Sequence, residues 1–211
     1  MTVLITGANR GIGQALLREF SKTEQVIGTT RAPQAGLKTL DVTDQASLQT
    51  LADDLGPIDL LICNAGVYLD KGFGPQDYTA QVWAETLAVN VTGVYMSIQS
   101  FLPNLRAGHA PRIAIISSQM ASDTHAPGGS YAYRASKAAA LNIGRNLATD
   151  LKPEGIAVGI YHPGWVQTDM GGASAALTLD QAAPQLCAEI QRLSLATTGC
   201  FRTYDGQDHP F

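Results

Sequence analysis

Thr2-Val3-Leu4-Ile5-Thr6-Gly7-Ala8-Asn9-Arg10-Gly11-Ile12-Gly13 opens the chain after Met1, and the stretch Gly11–Lys22 that follows is amphipathic. The apolar run Thr2–Thr6 reads as a strand and the amphipathic stretch as a helix. The glycines between them do different jobs. Gly7 can take the tight turn out of the strand. Gly11 lets a pyrophosphate approach the backbone, and Gly13 lets the helix pack close to a sheet. A helix N-terminus offers unpaired N–H groups and the positive end of a dipole, which suits a phosphate. The spacing is G-x-x-x-G-x-G, not G-x-G-x-x-G. No G-K-[ST] follows, so it is not a Walker loop. A glycine-rich turn without a ligand looks the same in isolation. The strand before it and the helix after it favour the phosphate reading.

Outward from this loop, short β-rich runs alternate with longer helical patterns. Strands are predicted at Thr2–Thr6, Gln25–Thr30, Thr39–Asp41, Ile58–Cys63, Arg112–Ser117, Ile156–Tyr161 and Cys200–Thr203. Several are nearly continuous Val/Ile/Leu runs, as strands covered on both faces require. Helices are predicted at Gly11–Lys22, Asp44–Leu55, Thr79–Arg106, Tyr131–Leu151 and Thr178–Ala196. Asp44 is the N-cap of the second, and Thr178 or Asp180 that of the last. The alternation implies βαβ units. The architecture is therefore a single domain over residues 1–211: a Rossmann-like, doubly wound parallel α/β sheet of about seven strands with helices on both faces. Ligands in such folds bind beyond the carboxyl ends of the strands.

Composition excludes several classes. The 211 residues carry 14 Lys+Arg against 18 Asp+Glu, a net charge of −4, with no basic cluster, so no nucleic-acid partner is expected. Cys63, Cys187 and Cys200 are odd in number and lack a C-x-x-C pair, which argues against a disulfide framework or a zinc site. They read as reduced thiols of a cytoplasmic protein. His109, His125, His162 and His209 have no metal-ligand neighbours, so no metal is expected. No apolar run approaches the roughly 18 residues of a membrane span, so no membrane partner is expected.

The choice of dinucleotide turns on the end of the second strand. A reader of the ribose 2′-OH is an Asp or Glu roughly 20 residues past the loop. Between Glu24 and Asp41 there is no acidic residue; Arg31 stands there instead, and Arg10 lies inside the glycine loop. Two guanidiniums can clamp a 2′-phosphate. The expected cofactor is NADP(H). Asp41, followed by Val42, can accept from an adenine amino group or serve as a helix cap.

Tyr133 and Lys137 are four residues apart on one predicted helix and share a face. A free phenol titrates near ~10, and a nearby ammonium favours its ionised form. Such a pair, in a partly dry cleft, can serve as an acid/base unit near neutral pH; on an exposed helix it is only a surface pair. Ser117 and Ser118, at the end of the fifth strand, can hydrogen-bond a substrate oxygen beside the tyrosine or merely satisfy loop backbone.

These motifs together resemble the short-chain dehydrogenase/reductase family from end to end. The matching residues are Thr6 through Gly13, Asp41-Val42-Thr43-Asp44, Asn64-Ala65-Gly66, Asn90-Val91-Thr92-Gly93, Ser117-Ser118, Tyr133 through Lys137, and Pro163-Gly164 with Thr168. The stretch His162–Gly172 is similar to the C-factor-like and sniffer-like carbonyl reductase branch. The resemblance implies that Tyr133 is the proton donor in reduction of a small carbonyl compound and the base in oxidation of the alcohol. Lys137 would lower the Tyr133 pKa and hold the nicotinamide ribose. Ser118, favoured over Ser117, would position the carbonyl, and Asn90 would hold a water in a proton relay through Lys137. Gly7, Asn9, Arg10, Gly11, Ile12 and Gly13 would cradle the cofactor, with Asp41 and Val42 at the adenine and Asn64, Ala65 and Gly66 at its ribose. Pro163, Gly164, Val166 and Thr168 would line the nicotinamide side. The resemblance also implies a homodimer through the helices at Thr79–Arg106 and Tyr131–Leu151. The alternative is a regulatory or signalling protein of the C-factor type with little turnover. The segment after Met170 is short, which predicts an open pocket and weak substrate selectivity.

Overall fold

Seven parallel strands form one sheet in the order β3-β2-β1-β4-β5-β6-β7. They are β1 (Thr2–Ile5), β2 (Gln25–Thr30), β3 (Lys38–Thr39), β4 (Leu60–Cys63), β5 (Arg112–Ile116), β6 (Ala157–His162) and β7 (Phe201–Thr203). This is a computed structural model, and it describes residues 1–211. The sheet is Rossmann-like, as its alternating pattern implies. Register follows from side-chain alternation: Val3, Leu4 and Ile5 pair with Leu60, Leu61 and Ile62 on one side and with Val26, Ile27 and Gly28 on the other.

Because successive side chains in a strand point to opposite faces, these buried runs feed two cores. Leu4, Leu61, Ile113, Ile115, Val158 and Ile160 pack under α2 (Gln45–Asp54), α4 (Gly93–Arg106) and α5 (Tyr131–Leu151). Val3, Ile5, Leu60, Ile62 and Ile116 pack under α1 (Gly11–Phe20) and α6 (Leu179–Gln191). Each fully buried Val, Leu or Ile contributes about 1.5–3 kcal/mol. The caps are local. Asp44 accepts from the Ala46 N–H at the start of α2, and Thr178, not Asp180, forms a capping box with Gln181 on α6.

Three expectations need correction. The stretch Thr79–Arg106 is not one α-helix: α3 (Ala80–Leu87) passes through a π-helical turn, Ala88–Thr92, into α4. A π turn inserts one residue and re-aims side chains, and here it buries Asn90 completely. The third strand ends at Thr39, not Asp41, because the Asp41 carboxylate folds back onto the Thr43 N–H and hydroxyl. The last helix also stops at Gln191, five residues before Ala196.

The strand order places the topological switch between β1 and β4, where crossovers leave in opposite directions and a crevice opens. The two chain turns there are fastened together. Thr6 Oγ1 accepts from the N–H groups of Asn64 and Ala65, both at 3.0 Å, and Asn64 Nδ2 donates to Thr6 O and Gly7 O at 3.0 and 2.8 Å. Thr6→Val leaves two partly buried N–H groups without an acceptor. It should cost about 2–4 kcal/mol in chemical denaturation while keeping the core volume.

Candidate active site

The glycine loop folds into a cradle that side chains would fill. Gly7 and Gly11 have φ of +66° and +54°. A Cβ on Gly13 would lie 2.2 Å from Gly7 O and 2.3 Å from Asn64 Nδ2. No side chain caps α1, since Arg10 precedes it in extended backbone without a cap hydrogen bond. Asn9 and Ile12 are half-buried in the same turn. The loop's bare backbone, uncapped helix start and absent side chains fit a pyrophosphate.

The two arginines predicted at the 2′-phosphate stand apart. Arg31 is exposed just past β2, and its charge helps hold the Asp41 carboxyl below the usual carboxylate range. The Thr43 hydroxyl is the larger cause, and desolvation opposes it. Asp41 is thus a turn cap on Thr43, while Asp44 caps α2; buried Val42 packs beside Gly93. Arg10 instead reaches across the cleft to Asp169 at 2.9 Å, and both side chains are largely exposed. An exposed pair of this kind is worth at most about 1 kcal/mol, so Arg10 is readily recruited elsewhere.

The segment Asn64-Ala65-Gly66 leaves β4 and joins the cradle to α5. Asn64 touches Gly7, as described, and a Cβ on Gly66 would lie 3.5 Å from Lys137 Nζ and 3.3 Å from Asn90 Oδ1. On α5, Tyr133 and Lys137 lie on one buried face, 7% and 6% exposed. Lys137 Nζ is 5.7 Å from the Tyr133 ring centroid and donates to Ile116 O at 2.9 Å. The two serines divide cleanly. Ser117 Oγ donates to Lys137 O inside the core, whereas the Ser118 hydroxyl lies beside the Tyr133 phenol and favours its ionised form. Ser118 is therefore the serine that faces the Tyr133 phenol.

Burial sets the electrostatics. It pushes the Tyr133 phenol up to about 12, assisted by Tyr68 and Asp70, and lowers Lys137 to about 8. With the chain's own groups alone, desolvation of the phenolate thus raises the phenol rather than lowering it. The Asn90 side chain is engaged on every side by protein groups. Its Oδ1 accepts from Val67 N, and its Nδ2 donates to Val67 O and to Ser136 Oγ, which fixes the amide between the Val67 turn and α5.

The loop after β6 covers the cleft. Pro163 and Val166 are buried, Gly164 has φ +88°, and the Thr168 methyl lies 3.5 Å from where a Gly11 Cβ would stand. The short segment that followed from sequence as leaving the pocket open instead ties down on three sides. Asp169 pairs with Arg10, Met170 O accepts from Lys71 Nζ at 3.2 Å, and Met170 Sδ lies 3.9 Å from the Tyr133 hydroxyl.

Four side chains in this region escaped the sequence reading: Met170, Tyr68, Asp70 and Tyr78. Tyr68 stacks on Tyr133 with centroids 4.2 Å apart. Asp70 and Tyr78 bond the first turn of α5. The nearest sequence signal for Tyr68, Asp70 and Tyr78 was their position downstream of Asn64-Ala65-Gly66, and for Met170 its place in the stretch His162–Gly172.

The sequence profile of the short chain dehydrogenase family matches residues 1–177. The C-signal of Myxococcus xanthus is 40% identical over 158 residues, spanning 74% of this chain and 94% of that protein. Among solved structures, the carbonyl reductase Sniffer of D. melanogaster superposes with a TM-score of 0.94 at 27% identity, covering 100% of this chain and 99% of that one. An NADPH-bound carbonyl reductase from chicken fatty liver superposes with a TM-score of 0.90 at 27% identity, covering 100% and 98%. This chain belongs to the short-chain dehydrogenase/reductase family and is an oxidoreductase by that membership. Its relationship within the family runs to C-signal and Sniffer.

Lys137 makes the site testable through stability. Its folded pKa lies below the unfolded value, so the unfolded chain binds more protons between about pH 8 and 10.5, and this residue's contribution to stability rises with pH there. Lys137→Met removes a penalty of about 3 kcal/mol at neutral pH. The variant should melt higher than wild type at pH 7, by a margin that shrinks by pH 10, and should lose turnover.

Proposed function

We propose that the chain, working as one dinucleotide-binding domain over residues 1–211, is an NADP(H)-dependent reductase of small aldehydes and ketones. The observation that carries this reading is the bridge Asn64–Gly66, which fastens the glycine cradle at one end and abuts Lys137 and Asn90 at the other. It links the glycine loop to the buried Tyr133–Lys137 pair through one short segment, which supports a single dinucleotide lying along it. Gly7, Asn9, Gly11, Ile12 and Gly13 would hold the pyrophosphate, with Arg31 and Arg10 on the 2′-phosphate, Asp41 and Val42 at the adenine, and Asn64, Ala65 and Gly66 at its ribose. Pro163, Gly164, Val166 and Thr168 would line the nicotinamide side. Bound there, the cofactor supplies the hydride in reduction or accepts it in oxidation.

The chain's own residues handle orientation and the proton. Ser118 holds the carbonyl oxygen beside Tyr133, and Tyr133 gives that oxygen its proton. A phenol held near 12 keeps its proton throughout the neutral range and so holds the proton that reduction needs. Lys137, titrating near 8, stabilises the phenolate that remains and binds the nicotinamide ribose. Asn90 holds the Val67 turn against α5. The carbonyl reductases Sniffer and that of chicken fatty liver, the latter bound to NADPH, support this substrate class and cofactor. We also propose a cytoplasmic homodimer built on α4 and α5, whose outward residues Tyr95, Gln99, Asn142 and Arg145 are exposed; light scattering after size exclusion should give twice the chain mass.

A spectrophotometric screen of NADPH oxidation with aldehydes, ketones and quinones tests the reading, and several compounds should turn over with similar kcat/KM. The resemblance to C-signal favours a second reading, in which binding matters and turnover is residual. NADPH binding without oxidation by any compound in the panel would select it. On cofactor choice, NADPH should bind more tightly than NADH, and Arg31→Ala should narrow that preference by about 10–100-fold, the loss of a charged hydrogen bond. Tighter binding of NADH by wild type would overturn the assignment.

A further inference from the structure

We propose that Asp70 is a positioning residue for Tyr133: its buried carboxylate clamps the first turn of α5 to the cofactor-side segment and so fixes where the phenol stands. The proposal rests on the reading of Tyr133 given above.

The helix carrying Tyr133 begins without a cap of its own. Ser130, which precedes it, has φ +52° and makes no side-chain cap hydrogen bond. The first N–H groups of a helix need acceptors from elsewhere, and here another segment supplies them. The Tyr131 N–H donates to Tyr78 Oη at 3.0 Å. The Ala132 and Tyr133 N–H groups donate to Asp70 Oδ2 at 2.9 and 3.3 Å, and the Tyr78 hydroxyl donates to the same oxygen at 3.1 Å. Asp70 is 0% exposed, and its second oxygen, Oδ1, has no partner.

Starting a helix does not require this. A serine in ordinary cap geometry does so without burying a charge, and a buried carboxylate with one unpartnered oxygen is costly. A carboxylate from a distant segment adds a tether. The stretch Asn64–Asp70 is fastened at three points: Asn64 to the glycine loop, Val67 to Asn90 through both backbone groups, and Asp70 to α5. Between the last two, Tyr68 stacks on the Tyr133 ring. Tyr133 is thereby held from its backbone by Asp70 and across its ring by Tyr68, in register with Gly66. The carboxylate's charge also suits the positive end of the α5 dipole.

Asp70→Ala should lower kcat about 100-fold, the cost of a displacement near 1 Å at the reacting group, with the Kd for NADPH unchanged. Asp70→Asn keeps an acceptor oxygen and should recover kcat to within about tenfold of wild type. A second readout needs no turnover: ionisation of Tyr133, followed as the ultraviolet difference against Tyr133→Phe. The groups facing the phenol are Tyr68 and Asp70, which oppose ionisation, and Ser118, which favours it, with the Lys137 amine 5.7 Å from the ring centroid. Removing the Asp70 charge in Asp70→Asn should move the Tyr133 titration to lower pH, and a carboxylate that does not stand beside the phenol would leave it in place. Wild-type kcat in Asp70→Ala, or an unmoved Tyr133 titration in Asp70→Asn, overturns the proposal. If wild type reduces no carbonyl compound, the catalytic reading falls, and the titration alone decides whether Asp70 holds Tyr133.

Discussion

At the switch point of the sheet, two chain turns must pass within van der Waals reach of each other while leaving backbone N–H groups free for a ligand. Thr6 and Asn64 solve this with four hydrogen bonds between the ends of β1 and β4. The lock works only because Gly13 has no side chain, since a Cβ there would strike both Gly7 O and the Asn64 amide. The path of Asn64–Gly66, the contact of Gly66 with Lys137, and the packing of Val67 against Asn90 all follow from that point. The sheet provides the frame, but this lock decides how far the glycine cradle stands from the helix that carries Tyr133.

The Tyr133–Lys137 pair is buried at a cost. Burial disfavours the charged forms of both groups, raising the phenol and lowering the amine. A folded core gains nothing from a lysine whose only hydrogen bond goes to Ile116 O. Such a group is retained for what it does when charge develops beside it, and a dry cleft strengthens that interaction. Met170 and the Arg10–Asp169 pair keep the cleft covered by weak, exposed contacts. A cover held this loosely can yield to a ligand without disturbing the sheet.

How much of this was legible in the sequence varied with the range of the interactions. The strand and helix order could be read because parallel, doubly covered strands are continuous apolar runs, and Gln25–Thr30 and Tyr131–Leu151 keep the same bounds in the structure. Tyr133 and Lys137 share a buried face because four residues is one helical turn. Local cap chemistry located Asp44 and Thr178. The π turn was not legible, because periodicity over 28 residues does not register one inserted residue. Neither was the raised phenol, since burial depends on packing by segments far away in the chain. Asp70 lies 62 residues from the helix turn it bonds, and no local pattern announces such a partner. Whether Ser117 or Ser118 faces Tyr133 depended on the twist at the end of β5, which alternation alone leaves open.

The proposed function rests on the Tyr133 phenol handing its proton to a carbonyl oxygen. The direct test is Tyr133→Phe, which removes one oxygen and keeps the ring stacked on Tyr68. NADPH should bind the variant with the wild-type Kd, while single-turnover reduction of an aldehyde that wild type reduces should fall by about 100-fold or more, the share expected of a positioned acid. Turnover of that aldehyde at the wild-type rate by the phenylalanine variant would contradict the account.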